Sequence, residues 1–396
     1  VNFNVLREAR DDVEMDVLIS DAIAADMINW RHDFHRFPEL GRREARTSGK
    51  IAGILTNLGM EVRTGFAGTG VVATLQGRGG LGPAIGLRAE MDALPIAEQA
   101  DVPFHSQTPG VFHACGHDGH MAILLGAATA LARAPDFRGT VHFIFQPAEE
   151  ALNGAEEMIA AGLFDKFPCD EIYALHNAPS LGVGVVAVRT GAILAACDDF
   201  TILVRGRGAH AALPHLGADP IVAAAHLVTN LQTVVSRSLD PTESGVVTIG
   251  MISGGASPNV IPESVVLRGT ARAGSSDGRA TIGRRIEEIC AGVAAAQDVA
   301  IAFKIEMGCP ATINAEAPTE AVVRAARAAG ARVVTDMPTL MGSEDFATML
   351  QARPGCYFLL GQGGEMIHHP AYAFDDSLLP LGAAIFVNLV RDRLGV

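Results

Sequence analysis

Residues 112–120 read Phe-His-Ala-Cys-Gly-His-Asp-Gly-His. They hold three His, one Cys and one Asp, a density of metal-ligating side chains that packing does not require. The two glycines let the backbone fold tightly enough to aim several of those side chains at one point. Cys115 and His117, separated by one residue, pair a thiolate with an imidazole, ligands suited to Zn²⁺, Co²⁺, Ni²⁺ or Mn²⁺. Three more segments offer the same chemistry. Glu149-Glu150 follows an apolar run and a proline. Successive side chains diverge, so one carboxylate can bind a metal while the other takes a proton from water. His176 ends a second apolar run, and His368-His369 lies far downstream. Each has a plainer reading when taken alone: a His-rich turn with a buried thiol, a solvated acidic turn, a core histidine bonded to backbone. His32, His142 and His226 fit that plainer class, and His35 reads as part of the N-terminal turn with Pro38 and Glu39.

Between these segments lie three residues suited to a substrate. His210 is flanked by small residues ahead of a proline, which presents its side chain from a loop. Asn259 adds an amide, and Arg272 a planar fork that matches a carboxylate. Taken singly, Asn259 reads as a turn residue and Arg272 as an ion-pair partner.

The elements that must position them follow from periodicity. Ser20 caps a helix over 21–35 that places Ile23, Met27, Trp30 and Phe34 on one face. Helices are predicted over 46–58, 121–133 and 154–161, and strands over 84–88, 140–145 and 171–175. Residues 62–77 read as turns between apolar runs. Strands alternating with helices indicate an α/β domain with a mixed, largely parallel sheet, whose sites fall past the strand C-termini. From about Ala195 the order changes to strand 200–205, helix 221–236, strands 246–252 and 264–272, helix 277–297 and strand 300–306, that of a ferredoxin-like α+β unit. After about Pro310 the α/β texture returns, with helices 318–329 and 378–394 and strand 356–360. The expected division is a catalytic domain from 1–194 and 309–396, interrupted by a lid or dimerisation domain over 195–308.

With 396 residues, two domains are the default. The chain is 49% hydrophobic and 19% charged, as in a globular enzyme, and its net charge of -14 argues against nucleic-acid or anionic-membrane partners. Six scattered Cys without a CxxC pair point to reduced thiols and a cytoplasmic protein. Residues 1–20 carry acids and no apolar core, so no signal peptide is expected.

Eight short motifs occur together in a set order: Arg88–Pro95, His113–His120, Gln146–Glu150, Leu175–Asn177, Gly208–Pro214, Asn259–Pro262, Gly342–Phe346 and His368–Pro370. On these motifs the chain resembles the N-acyl-amino-acid amidohydrolases, which include hippurate hydrolases and plant auxin-conjugate hydrolases, in the aminoacylase/carboxypeptidase clan of dinuclear metallopeptidases. The resemblance implies hydrolysis of N-acyl amino acids by an enzyme with two divalent ions (Zn, Mn, Co or Ni), acting as a homodimer or higher oligomer. A dipeptidase or carboxypeptidase with the same site is the alternative. By resemblance Cys115 bridges the two metals, and His117, Glu150, His176 and His369 complete the ligands. Glu149 is the general base and Asp92 orients a ligand. His210 polarises the scissile carbonyl, and Asn259 and Arg272 hold the substrate carboxylate. The chain departs from the family pattern at Glu90, where Asp is usual, at Val111-Phe112, and at Asp375-Asp376.

Overall fold

The computed structural model describes residues 18–151 and 153–395. The reading of the N-terminus as lacking a signal peptide therefore falls mostly outside the described residues. No helix among them is long and apolar enough to cross a membrane.

Strands Thr140–Gln146, Ala84–Glu90, Glu171–Ala178 and Gly355–Gly361 lie side by side, all parallel, at the centre of an eight-stranded sheet. Nearly every residue in them is buried, as expected of strands covered on both faces. On one flank an antiparallel hairpin, Glu61–Phe66 and Gly70–Gln76, joins Thr140–Gln146. On the other, Val185–Ala187 runs antiparallel to Gly355–Gly361 and parallel to Arg332–Val334. The sheet is mixed and largely parallel, as the alternation of strands and helices indicated.

Helix Asp21–Arg36 starts where Ser20 Oγ accepts from Ile23 N–H, and it buries Ile23, Met27, Arg31, Phe34 and His35 along one stripe. It packs on helix His117–Arg133, with Gly126 at the crossing. A Cβ there would stand 2.4 Å from Met27 Sδ, so the close approach depends on the missing side chain. Helices Asp21–Arg36, His117–Arg133 and Leu379–Leu394 cover one face of the sheet, and Gly154–Ala160, Leu163–Lys166 and Phe346–Ala352 cover the other.

Between Ala196 and Glu306 the chain builds a second sheet in the spatial order Gly245–Gly254, Ser264–Ala273, Ala196–Arg205, Ala300–Glu306, antiparallel throughout. Helices Pro220–Ser238 and Ser276–Gln297 pack on it through Leu227, Leu231, Ile282 and Ile286. This is the ferredoxin-like order, so an α/β fold is interrupted by a smaller α+β unit.

Two local expectations change. Residues 62–77 form the edge hairpin and not a series of turns. Its outer strand is mostly exposed, so the alternation that marks a half-buried strand is absent. Helix His117–Arg133 begins four residues earlier than the predicted 121, because Gly116, at φ 91°, reverses the chain and opens the helix at His117.

Candidate metal centre

The loop after Ala84–Glu90, the turn after Thr140–Gln146, and the C-terminal end of Glu171–Ala178 meet at one end of the sheet. Parallel strands share their C-terminal edge, so residues distant in sequence converge there. Cys115 sits just before helix His117–Arg133, and its Sγ lies 3.4 Å from His176 Nε2. Cys115, His117 and His176 present donor atoms within 4.8 Å of one another, as do His117, Glu149 and Glu150. Gly116 permits this closeness: a Cβ at that position would lie 2.4 Å from Asn177 Oδ1 and 2.5 Å from the Tyr372 hydroxyl.

The imidazoles are held from behind. His117 Nδ1 is 2.8 Å from the Asp92 carbonyl oxygen, and its buried Nε2 has no hydrogen-bond partner. His176 Nδ1 is 2.7 Å from the Asn177 carbonyl oxygen. With the carbonyls accepting, both rings donate from Nδ1 and turn Nε2 to the centre. Asp92 Oδ2 accepts from Glu150 N–H at 2.9 Å, tying the two loops together. Ala148, at φ 54°, turns the chain so that Glu149 and Glu150 diverge, and Glu44 Oε1 holds its N–H at 2.9 Å.

The C-terminal His pair is a correction. The resemblance placed His369 among the ligands, but its half-exposed imidazole lies 3.8 Å from Glu365 and away from the cluster. His368 points to the cluster instead. Its N–H donates to the Ala114 carbonyl at 2.8 Å, and its φ of 65° swings Nε2 to 3.3 Å from Glu150 Oε1. Cys115, Glu150 and His368 form a third donor group within 4.8 Å. Adjacent side chains diverge, so only one of the pair can face inward.

A cavity of about 430 Å³ opens over these groups. Arg272 is in its wall and donates from Nη1 to the Met341 carbonyl at 2.6 Å. His210 and Asn259 are not brought to this cavity within one chain. They lie on an exposed ribbon, where Ala209–His210 pairs with Val260–Ile261. Among the described residues His210 Nδ1 accepts only from Ala212 N–H, at 3.1 Å.

Sequence reasoning missed the carboxylates beneath Glu149. Glu149, Glu344 and Asp345 place oxygens within 4.8 Å of one another, all buried. Arg88, fully buried, donates to Glu90, to Glu344 at 2.8 Å and to Asp345 at 3.0 Å. Gln146 Nε2 donates to Asp345 at 2.7 Å. The motif Gly342–Phe346 contained this signal without a role attached. Glu90, the departure from the family pattern, also meets His120 Nδ1 at 2.8 Å.

The electrostatics call for added positive charge. Burial, then Glu344 and Asp345, push Glu149 well above the usual carboxylate range. Burial and the Glu150 and Glu149 charges push the Cys115 thiol up. Burial lifts Asp345 to about 8 against the pull of Arg88. Burial, helped by His120, lowers His176 to about 3, so it is a neutral imidazole, the form that ligates. Against burial, the Asp92 hydrogen bond and the neighbouring carboxylates raise His117 to about 10, so without a metal it shares with Arg88 the positive charge among these acids, a role a bound cation would take over. A thiol, three imidazoles and carboxylates around an unpartnered Nε2 fit borderline divalent cations.

Known proteins similar to this chain agree with that chemistry. An N-acetyl-L-cysteine deacetylase of Bacillus subtilis (strain 168) is 40% identical over 93% of this chain and 88% of its own length. A hippurate hydrolase of Campylobacter jejuni is 37% identical over 92% of this chain and 95% of its own. A Bacillus subtilis crystal structure described as a dinuclear metal binding peptidase superposes with a TM-score of 0.85 at 34% identity, covering 95% of this chain and 99% of that one. The family signature of peptidases M20/M25/M40 extends over residues 86–392, and with that match the chain belongs to this family.

Proposed function

We propose that the chain is a metal-dependent amidohydrolase that cleaves the amide of N-acyl amino acids to a carboxylic acid and a free amino acid. The observation that carries this is the convergence of Cys115, His117, Glu150, His176 and His368 around Glu149. The names of the deacetylase and hippurate hydrolase relatives support the substrate class. The five donors would hold two divalent ions of the Zn, Mn, Co or Ni type. When bound, such ions supply Lewis acidity and lower the pKa of water.

The chain's own residues do the rest. Glu149, ionised once positive charge is bound beside it at the donor cluster, accepts a proton from the attacking water and delivers it to the leaving amine. Asp92 orients His117. Arg272 anchors the substrate carboxylate, and Leu194, Leu359 and Ile367 give the cavity its apolar side. His210 and Asn259 reach the substrate when the inserted unit closes or when a second copy supplies them; His210 then donates to the carbonyl oxygen. A homodimer fits the outer edge of Gly245–Gly254, an unpaired edge strand with Met251 and Ile252 exposed. Buried thiols at Cys115, Cys169, Cys197, Cys290 and Cys356 fit a reducing cytoplasm.

The test is hydrolysis of N-acetyl and N-benzoyl amino acids after reconstitution with each of the four metals. Glu149→Gln should keep its bound metal and lose about 10²–10⁴-fold in kcat. Full activity of that variant would remove the general-base role. A wild-type protein inert on every N-acyl amino acid would sink the reading as a whole.

A further inference from the structure

A larger cavity, about 730 Å³, lies away from the metal centre, between helix Glu316–Ala328 and the segment Thr335–Pro338. Its charged lining is of both signs: Arg189, Arg324 and Arg327 with Glu320 and Asp336. Arg324 is already committed, with two 2.8 Å bonds to Asp392. Arg189 is held by one nitrogen, Nη1, which donates to the Met337 carbonyl and to Thr339 Oγ1, while its buried Nε has no partner. Arg327, Glu320 and Asp336 make no ion pair among the described residues. Arg327, Glu320 and Asp336 are exposed, and the Glu320 charge also acts on Arg324, so charges of both signs stand around one concavity large enough for a small molecule.

We infer that this cavity is a second ligand site, for a small zwitterion of the α-amino-acid class. Arg189 and Arg327 face the carboxylate, and Glu320 and Asp336 face the ammonium. A zwitterion meets opposite charge at both ends, whereas a single-charge ligand would also meet like charge from the other half of the lining. The choice of an amino acid among zwitterions rests on the proposed reaction, which releases one. Placement suggests a consequence. Thr335–Pro338 leads into Leu340–Glu344, which lines the catalytic cavity and whose Met341 carbonyl takes the Arg272 bond. An occupant therefore bears on the loop that positions the substrate anchor.

The experiment is hydrogen exchange on the metal-loaded protein titrated with glycine, with acetate and methylamine as single-charge probes. Glycine should slow exchange in 335–339 and 319–328, and the single-charge probes should not. The double variant Arg327→Ala/Glu320→Ala should weaken that protection about tenfold or more. Arg272→Met, which cripples the catalytic anchor, should leave it in place. The inference is overturned if wild type shows no protection there, if the double variant behaves as wild type, if acetate or methylamine protects as well as glycine, or if Arg272→Met abolishes the effect. Failure of the catalytic reading would appear separately, in the hydrolysis assay.

Discussion

The strand-end floor and the ribbon of the inserted unit both present histidines and amide or carboxylate groups, in opposite settings. On the floor, His117 and His176 are buried and each has one nitrogen fixed on a backbone carbonyl. On the ribbon, His210 and Asn259 are exposed, and Asn259 Oδ1 merely accepts from Ser257 Oγ at 2.6 Å. Ligands whose rings are already oriented lose little freedom on binding a cation, which suits a permanent centre. A side chain that waits in solvent contributes only after something brings it in. The floor's donors converge within a single folded chain, and the ribbon's side chains do not reach them.

Three substitutions test this difference, the largest effect first. His368→Ala should remove a donor from the floor, and the loss in metal affinity should exceed the roughly 10–100-fold cost of disturbing an outer-shell partner, taking activity with it. His369→Ala, one residue on, should bind metal as wild type does. Metal content after dialysis at limiting chelator separates the two. If His369→Ala is the variant that loses metal, the assignment of the floor is wrong. His210→Ala should leave metal content unchanged and lower kcat by about 10²–10³-fold, the scale of a lost oxyanion donor. A variant with normal kcat would confine the ribbon to a structural role.

The sequence was most legible where physics is local. The helix predicted over 21–35 is found at Asp21–Arg36, because its cap and apolar stripe lie within sixteen residues. The buried central strands were placed because each is an apolar run bounded by polar turns; Glu171–Ala178 simply continues through His176 and Asn177. Strands such as Val185–Ala187 and Arg332–Val334 are too short to show a period and exist only through their neighbours. The cluster of ligand-type residues at Cys115 and His117 was readable from type and density, whereas Glu150 and His176, which the structure brings beside it, had a plainer reading when taken alone. The choice between His368 and His369 was not readable, since it turns on one backbone angle and one hydrogen bond to Ala114. Nor was the seating of Glu344 and Asp345 beneath Glu149, which needs the parallel register that brings Arg88 beside Gln146 and across to the 344–345 loop.

How firmly the floor is supported can be read through His35, with the smallest expected effect on activity. Asp118, next to His117, accepts from Arg31 Nη1 at 3.0 Å and lies 2.9 Å from His35 Nδ1, while Glu98 lies 2.7 Å from the other His35 nitrogen. Burial alone would discharge this imidazole. The hydrogen bonds to Asp118 and Glu98 outweigh it and raise His35 to about 9. Against an unfolded value near 6.5, that difference is worth about 3 kcal/mol. Because the folded value is the higher one, the stabilisation is complete below pH 6.5 and is lost as pH rises through about 9. Urea midpoints for wild type and His35→Gln should therefore differ most at pH 6 and converge by pH 9.5, with metal content at pH 6 little changed. A gap that stayed constant across this range would mean that His35 is neutral in the folded protein, and that Arg31 alone neutralises Asp118 beneath the metal centre.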